Sequence, residues 1–361
     1  MSPPPVPTWG NFVIWQWFGW GVALVVVMAA VAIISHRGIR RDLVRSAAVT
    51  LSIARVTVAE TLRKKVLYGI VVFAVGSVLA ATFFSSYEPG EQDVVVKDIG
   101  LTLISMFAGL VVIITAMFLI PEEVERRTIY PLLAKPVRRS EFVVGKFLGV
   151  AAPVAISMGA MLLVLQVAML AIKFPAQQSW IVMPAMVAVG VVFIGMLMGK
   201  SLGVTGPVAI SLGALVILAI SALAIVFNAW SWLIVMAVGL LFFAMMVLAG
   251  VVILISTRVS TILAAVIGVL IFALGFNMER LYHLADPQHS GGHVFNTISL
   301  SVLAAVLPNL SMFDLRVQAA SPPPYYWDQL WALFGNGVLY AVGYLAVLLI
   351  AASLSFSTRE V

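Results

Sequence analysis

The chain has 361 residues, of which 62% are hydrophobic and 10% are charged, and its mean hydropathy is +1.11. This much apolar surface exceeds what a soluble domain can bury, which excludes a soluble protein and predicts an all-α polytopic membrane protein. The net charge of +6 does not indicate nucleic-acid binding, because the 21 Lys and Arg residues cluster between apolar runs, and the absence of cysteine excludes disulfides and thiolate sites.

Charge-free apolar runs of about 20 residues, the length that crosses the hydrocarbon core, recur along the chain. The run Ser201–Thr257 is too long for one crossing, so we place a turn at 228–232, where Asn228 meets two tryptophans. The other runs are Val13–Ile34, Val66–Ser86, Ile99–Ile120, Phe147–Ile172, Phe174–Gly199, Val259–Met278 and Gln329–Ser357. Together they predict a single transmembrane domain over residues 1–361 with about nine membrane-spanning helices.

The first run, 13–34, is predicted to be an uncleaved membrane span. No Lys or Arg precedes it, so the charged segment that opens a secretory signal peptide is missing. The residues 30–32, Ala-Val-Ala, resemble a cleavage site, which leaves a cleaved signal peptide as the alternative.

Residues 37–65 carry eight positive charges and are predicted to form an amphipathic helix on the inner membrane surface. Val44, Leu51 and Val58 recur every seven residues, and Ala47, Ala54 and Leu62 fill the same apolar face. The cations expected near anionic lipid are Arg45, Arg55, Arg63, Lys64 and Lys65. A solvated basic linker is the alternative interpretation of this segment.

After spans two and three (66–120), the stretch 121–149 brings acidic and basic side chains together at high density between two apolar runs. Spans four to eight follow in 150–278. The outer loop 279–328 has an apolar part, 294–313, whose Asn, Thr, Ser and Pro residues make it too polar to face lipid on all sides. We predict a re-entrant helix there, with a tenth span as the alternative, before the last span at 329–357.

The positive charges predict the orientation of the chain in the membrane. If 121–149 is cytoplasmic, 17 of the 21 Lys and Arg residues lie inside and four, Lys97, Lys173, Arg280 and Arg316, lie outside. Cytoplasmic loops carry the excess of Lys and Arg in membrane proteins. The split therefore favours an outer N-terminus and a cytoplasmic C-terminus.

The sequence offers no energy source of its own. Neither Gly199-Lys200 nor Gly145-Lys146 has the upstream glycine that a phosphate-binding loop requires. The predicted spans carry no ionisable side chain in their interiors, which disfavours proton coupling. No nucleophile with a base and no metal-binding helix is evident, and the spacings of His283, His289 and His293 fit no compact metal motif. We therefore predict neither an enzyme nor a metal site.

The charged stretch is similar to that of permease subunits of ABC-2 type transporters. The residues that carry the resemblance are 122–129 (EEVERRTI), 132–139 (LLAKPVRR), Glu141 and 145–149 (GKFLG). In that family the corresponding run is a cytoplasmic loop with a short coupling helix that fits against a separate ATP-binding subunit. The helix 37–65 resembles the family's connecting helix, 256–260 resembles its second cytoplasmic contact, and 294–313 resembles its re-entrant helices.

The resemblance implies a permease that moves substrate, as an exporter, when a separate ATPase subunit hydrolyses ATP. This chain would bind no cofactor itself, with ATP and Mg²⁺ on the partner, and it would pair with a second copy or a sister permease in the bacterial inner membrane. The contacts expected with the ATPase subunit are Glu122, Glu123, Glu125, Arg126, Arg127, Thr128, Leu132, Leu133, Lys135, Arg138, Arg139 and Arg258. Charges of both signs set partner choice, and the leucines would anchor the contact.

Two departures from the family pattern are visible in the sequence. The family core has six spans, so 13–34 and the pair within 174–227 would be extra. Pro131 stands where the family more often continues a helix, and it should kink or end that helix. The alternative functions are a membrane scaffold that recruits a soluble partner without moving substrate, and a lipid-modifying membrane enzyme that would use the outer-loop histidines.

Overall fold

The computed structural model describes residues 37–61, 64–84, 92–119, 138–174, 231–278, 280, 307–320 and 327–357, with short pieces at 180–181, 183–184, 187–188, 218–219 and 222. Eight α-helices and one 3₁₀ turn, Ser311–Phe313, account for this part of the chain, and no strand occurs in it. The helices are α1 Arg37–Thr61, α2 Lys65–Phe84, α3 Gln92–Met117, α4 Arg139–Lys173, α5 Trp232–Ser256, α6 Thr261–Phe276, α7 Arg316–Ala320 and α8 Trp327–Ser357.

Four of these helices are long and apolar enough to cross a membrane, namely α3, α4, α5 and the part of α8 from Leu330 to Phe356. Shorter apolar helical stretches lie at Gly69–Ala81 in α2 and along α6. A helix satisfies all its backbone hydrogen bonds internally, and this requirement dominates where no water is present. The prediction of an all-α membrane protein is confirmed.

Glycine contacts show how the helices run relative to one another. A methyl group at Gly239 would meet Phe334, and one at Gly250 would meet Leu348, so α5 and α8 run in the same direction. Gly268 of α6 faces both Val252 of α5 and Ile113 of α3, and Gly109 of α3 faces Phe272, so α6 runs opposite to both helices.

The bundle therefore has two ends. The "Arg258 end" contains the ends of α5 and α8 and the starts of α4 and α6. The "Arg316 end" contains the starts of α3 and α5 and the ends of α4 and α6. One continuous apolar core, built mainly from α2, α3, α4, α5 and α8, lies between the two ends.

Six of the nine predicted spans correspond to α2, α3, α4, α5, α6 and α8. The remaining three, 13–34 and the two that we placed within 174–227, lie wholly or largely outside the described residues, so the count of nine stays a prediction. Helix α5 begins at Trp232, directly after the turn predicted at 228–232, of which only 231–232 are described.

Three boundaries are corrected. Helix α3 begins at Gln92 instead of Ile99, and α4 begins at Arg139 instead of Phe147, so the end of the stretch 121–149 is helical. The charge-free criterion missed these turns because their charged side chains have partners, such as Asp93 for Lys97. The connecting helix begins at Arg37, although we predicted helical character only from Leu43.

The predicted re-entrant segment 294–313 is described only from Leu307 onward. Residues 307–310 are not helical, contrary to the prediction, and Pro308 lacks the amide that a helix would use there. Leu310 and Phe313 are nevertheless fully buried, and the Leu310 amide donates to the carbonyl of Gly275 at 3.1 Å. Non-helical backbone in a membrane bundle requires such protein partners.

Candidate functional site

Helix α1 packs against the first turns of α4 through two glycines. A methyl group at Gly149 would lie 2.4 Å from Cβ of Thr57, and one at Gly145 would lie 2.8 Å from Cβ of Ile53 and 2.9 Å from the Thr50 carbonyl oxygen. Two glycines four residues apart lie on one face of a helix, where they let a neighbouring backbone approach closely. The two helices are therefore in direct backbone contact at the Arg258 end.

The face of α1 that packs on α4 is centred on Ala54, Thr57 and Thr61, which are buried. It shares Ala54 with the predicted apolar face, whereas Leu51 of that face is 68% exposed and Ala47 is exposed. The exposed part of the predicted face remains accessible to a membrane surface, while small and hydroxylated residues face α4.

Glu141 connects α1 to the residue that precedes α4. Its Oε1 accepts a hydrogen bond from Ser46 Oγ of α1 at 2.5 Å, and its Oε2 accepts one from the Arg138 amide at 3.0 Å. The first amides of a helix have no partner inside the helix, so this carboxylate satisfies a donor at the helix start. One side chain therefore fixes the start of α4 and its position against α1.

Lys146, one turn further along α4, is 3% exposed and lies 4.0 Å from the carboxylate of Glu60 on α1. Its ammonium group also lies 5.7 Å from the centre of the Phe142 ring, within cation–π range. A buried lysine requires such compensation. This pair is a third link between α1 and α4.

Arg139 joins the start of α4 to the end of α8. Its Nη1 donates to the carbonyl oxygen of Phe356 at 2.9 Å, and its guanidinium lies 5.8 Å from the centre of the Phe356 ring. The same ring stacks on Phe142 with 5.5 Å between centroids. Because the last carbonyls of a helix lack partners within it, Arg139 satisfies one of them.

Arg258 joins the turn between α5 and α6 to the same end of α8. Its Nε donates to Ser355 Oγ at 2.9 Å, and Ser355 Oγ also lies 2.8 Å from Thr257 Oγ1. Thr257 is buried and donates to the Leu254 carbonyl as well. The last turn of α8 thus contacts both of the segments that we predicted to contact an ATPase subunit.

The structure brings Arg139 and Arg258 together at the end of α8, and it leaves Arg138 exposed beside them. The other nine residues predicted to contact the ATPase subunit lie outside the described residues, as does Pro131. The nine are Glu122, Glu123, Glu125, Arg126, Arg127, Thr128, Leu132, Leu133 and Lys135. Sequence analysis did not identify Ser46, Ser355 or Phe356, because a serine or phenylalanine within a helix gives no signal of a contact.

The cations predicted on the membrane-surface helix are partly described. Arg45 and Arg55 are exposed on α1, whereas the Lys64 ammonium lies 4.8 Å from the centre of the Phe118 ring just after α3. Arg63 and the side chain of Lys65 lie outside the described residues. The metal alternative rested on His283, His289 and His293, which also lie outside them, and the part of the chain that is described holds no group of metal-binding side chains.

The Arg316 end also contains charged and polar groups. Arg316 pairs with Asp314, which raises the pKa of Arg316 above its ordinary value, and its Nη1 donates to Thr102 of α3 at 3.1 Å. Gln166 of α4, fully buried, exchanges two hydrogen bonds of 3.1 Å with the backbone of Ser231. These contacts fix the 307–320 segment and the start of α5.

A bundle of long apolar helices with its charges at the two ends defines an integral membrane protein. The family model described as ABC-2 family transporter protein matches residues 17–361, and the chain belongs to this family. The predicted relationship is thereby confirmed, and the protein is the membrane-spanning permease subunit of an ABC transporter, a transport subunit that is not itself catalytic. A search of curated proteins found no match.

Proposed function

We propose that an ATP-binding subunit docks on the Arg258 end and that its ATP hydrolysis drives substrate across the membrane. The observation that carries the proposal is the convergence of Arg139 and Arg258 on the last turn of α8. These residues come from the two segments that resemble the family's ATPase contacts. A partner that closes on ATP can displace both segments at once only if they lie at the same end of the bundle.

The Arg258 end is the cytoplasmic end in this proposal, with the N-terminus outside and the C-terminus inside the bacterial inner membrane. Among the described side chains, the cations at this end are Arg45, Arg55, Lys64, Arg138, Arg139, Lys146 and Arg258, and those at the other end are Lys97, Lys173, Arg280 and Arg316. This distribution agrees with the 17-to-4 split in the sequence and with the bias of cytoplasmic loops toward positive charge.

Transport further requires two permeases, identical or paired with a sister, and two ATP-binding subunits. The direction we propose is export, following the resemblance to ABC-2 type permeases. ATP and Mg²⁺ bind the partner, and this chain contributes docking surfaces and the membrane path. The exposed part of the apolar face of α1, which includes Leu51, and the cations Arg45 and Arg55 rest on anionic lipid at the inner surface.

Docking is tested by co-purification in mild detergent. The permease should retain an ATP-hydrolysing protein, and reversing charge at Glu122, Glu123 and Glu125 to Lys should lower the retained amount about tenfold, because charge complementarity guides partner choice. Asp98→Lys, an exposed reversal at the Arg316 end, is the control and should retain the partner. If no ATP-hydrolysing protein is captured, the proposal fails, and a partner without a nucleotide site would instead support the scaffold function.

Orientation is tested by labelling with a membrane-impermeant maleimide, which the absence of native cysteine makes specific. A cysteine at exposed Ser140, at the Arg258 end, should react only after the cells are permeabilised. A cysteine at exposed Asn277, at the Arg316 end, should react in intact cells. The reverse pattern would place the Arg258 end outside and refute the proposed docking side.

A further inference from the structure

We propose that the last turn of α8 is a positioning element that couples the two docking segments, so that a displacement of the Arg258 turn is transmitted to the start of α4. The inference rests on the proposed function for its role in transport. The coupling itself is a property of the permease alone, and it can be measured without a partner.

The electrostatics of helix ends explains why two arginines meet here. The last four carbonyls of a helix lack intrahelical partners, and together they carry a partial negative charge. Arg139 donates to one of these carbonyls, that of Phe356, and Arg258 donates to the adjacent Ser355 hydroxyl. One helix end therefore attracts a cation from each docking segment.

The contacts are adjacent in α8 but serve different segments. Ser355 bonds to the α5–α6 turn, through Thr257 at 2.8 Å and Arg258 at 2.9 Å. Phe356 contacts only the start of α4 in the bonds described, through Arg139 and the Phe142 ring. Displacement of the turn reaches α4 through the backbone that joins these two residues.

Burial makes this connection stiff. Phe356 is 1% exposed and Thr257 is fully buried, so both side chains are enclosed by other parts of the protein. Close-packed interiors transmit strain instead of absorbing it. The start of α4 in turn contacts α1 through Gly145, Gly149 and Glu141. The whole Arg258 end consequently responds as one unit.

The test is amide hydrogen exchange of the full-length permease in lipid nanodiscs, with the variant Ser355→Ala. This variant removes the hydroxyl that accepts a hydrogen bond from the Arg258 guanidinium. The amide exchange rate in the contacting segment 257–260 should therefore rise about tenfold. The distinguishing expectation is a rise of about threefold at 138–142, the segment that α8 contacts through Phe356. Ser355→Thr keeps the hydroxyl and should restore both rates.

Ile350→Ala is the matched control, because Ile350 lies on the same helix and is 62% exposed. It should change exchange in neither segment. Unchanged exchange at 138–142 in Ser355→Ala would overturn the proposal, and so would an equal rise in the control, which would indicate general destabilisation. Phe356→Leu offers the reverse test, in which exchange at 257–260 should rise although the substituted side chain stacks on α4.

A separate readout distinguishes this inference from the proposed function. With an ATP-binding subunit present, Ser355→Ala should keep co-purification within about twofold and should lower permease-dependent ATP hydrolysis about fivefold, because positioning affects response more than binding. If no such subunit is captured, the proposed function fails, while the exchange result still decides whether α8 couples the two segments. Wild-type hydrolysis in Ser355→Ala would contradict the positioning role.

Discussion

The two ends of the bundle hold their charged side chains in different ways. At the Arg258 end, hydrogen bonds join residues that are far apart in sequence, with separations of 95 for Ser46 and Glu141 and 217 for Arg139 and Phe356. At the Arg316 end, the ion pairs join close neighbours, with Lys97 four residues from Asp93 and Arg316 two residues from Asp314.

This difference indicates different tasks. Long-range bonds tie separate helices into one unit, which is what a surface that receives force from a partner requires. The ion pairs at the Arg316 end neutralise charge between close neighbours, and Arg316 in addition donates to Thr102 of α3, 214 residues away. Because the ion pairs themselves are local, we expect the elements at that end to separate more easily than those at the Arg258 end. The cross-helix bonds at the Arg316 end, such as Gln166 with Ser231, fix single turns. The following three predictions test this contrast.

The largest effect is expected where two backbones touch, at Gly149. Gly149→Ala places a methyl group 2.4 Å from Thr57 Cβ, which cannot rotate away, so α1 must shift. Overpacking of this kind lowers the free energy of unfolding by about 1–3 kcal/mol. Equilibrium unfolding in mixed micelles measures the loss.

Two other glycines provide the comparison for Gly149. In Gly100→Ala, at the Arg316 end, the three atoms nearest the added methyl group all belong to the end of the Leu165 side chain, which can rotate, so the loss in free energy of unfolding should be smaller. Gly159→Ala, on α4 itself, meets no described atom within 4 Å and should stabilise the helix by roughly 0.5–1 kcal/mol. If Gly149→Ala and Gly100→Ala lower the free energy of unfolding equally, the Arg258 end is not stiffer than the Arg316 end.

A smaller effect is expected at Gln166, whose side chain pairs with the backbone of Ser231. Gln166→Leu leaves that amide and carbonyl without their partner and should lower the free energy of unfolding by about 1–3 kcal/mol, toward the lower part of the range if water enters. Gln318→Leu is the matched control, because the buried Oε1 of Gln318 has no partner among the described residues and its loss should be neutral or stabilising. A neutral Gln166→Leu would show that the turn is fixed by other contacts.

The smallest effect is expected at Asp93, which is 57% exposed in its ion pair with Lys97. Asp93→Asn should cost about 0.3–0.5 kcal/mol at low salt and almost nothing at high salt, as for other helical pairs four residues apart. The measurement is the unfolding midpoint at two ionic strengths. If the loss of stability persists in high salt, the ion pair is not screened by solvent, and the carboxylate of Asp93 is needed to compensate the buried ammonium group of Lys97.

The helices that the sequence predicted correctly are those whose position follows from hydrophobic composition alone. Long apolar runs placed α3, α4, α5 and α8, because a span must be apolar along its length. Boundaries were less predictable, since charged residues such as Glu141 and Lys97 enter a helix when a partner compensates them. The connecting helix was predicted from its charge and its apolar periodicity, and Ala54 lies on both the predicted and the observed face. The rest of the packing face was not predicted, because a hydroxylated residue such as Thr57 is inconspicuous in a search for apolar periodicity.

The site was predictable only in part. The charged stretch and Arg258 were identified from the resemblance, and the structure places Arg139 and Arg258 at the same end of α8. That Ser355 and Phe356 mediate this proximity could not be predicted, because contacts between helices depend on their relative rotation. A single sequence specifies which face of a helix is apolar but not which residue of a distant helix lies opposite.

Pro153 gives α4 a mechanical property that its length alone would not. At 35 residues the helix is about 52 Å long, well beyond the hydrocarbon thickness of about 30 Å, so a large part projects from the bilayer. Pro153 has no amide to donate to the carbonyl of Gly149, the same residue that touches α1, and such a missing bond is where helices bend. The projecting part can therefore act as a lever with its pivot near the contact of Gly149 with α1, turning a push at the surface into a tilt within the membrane.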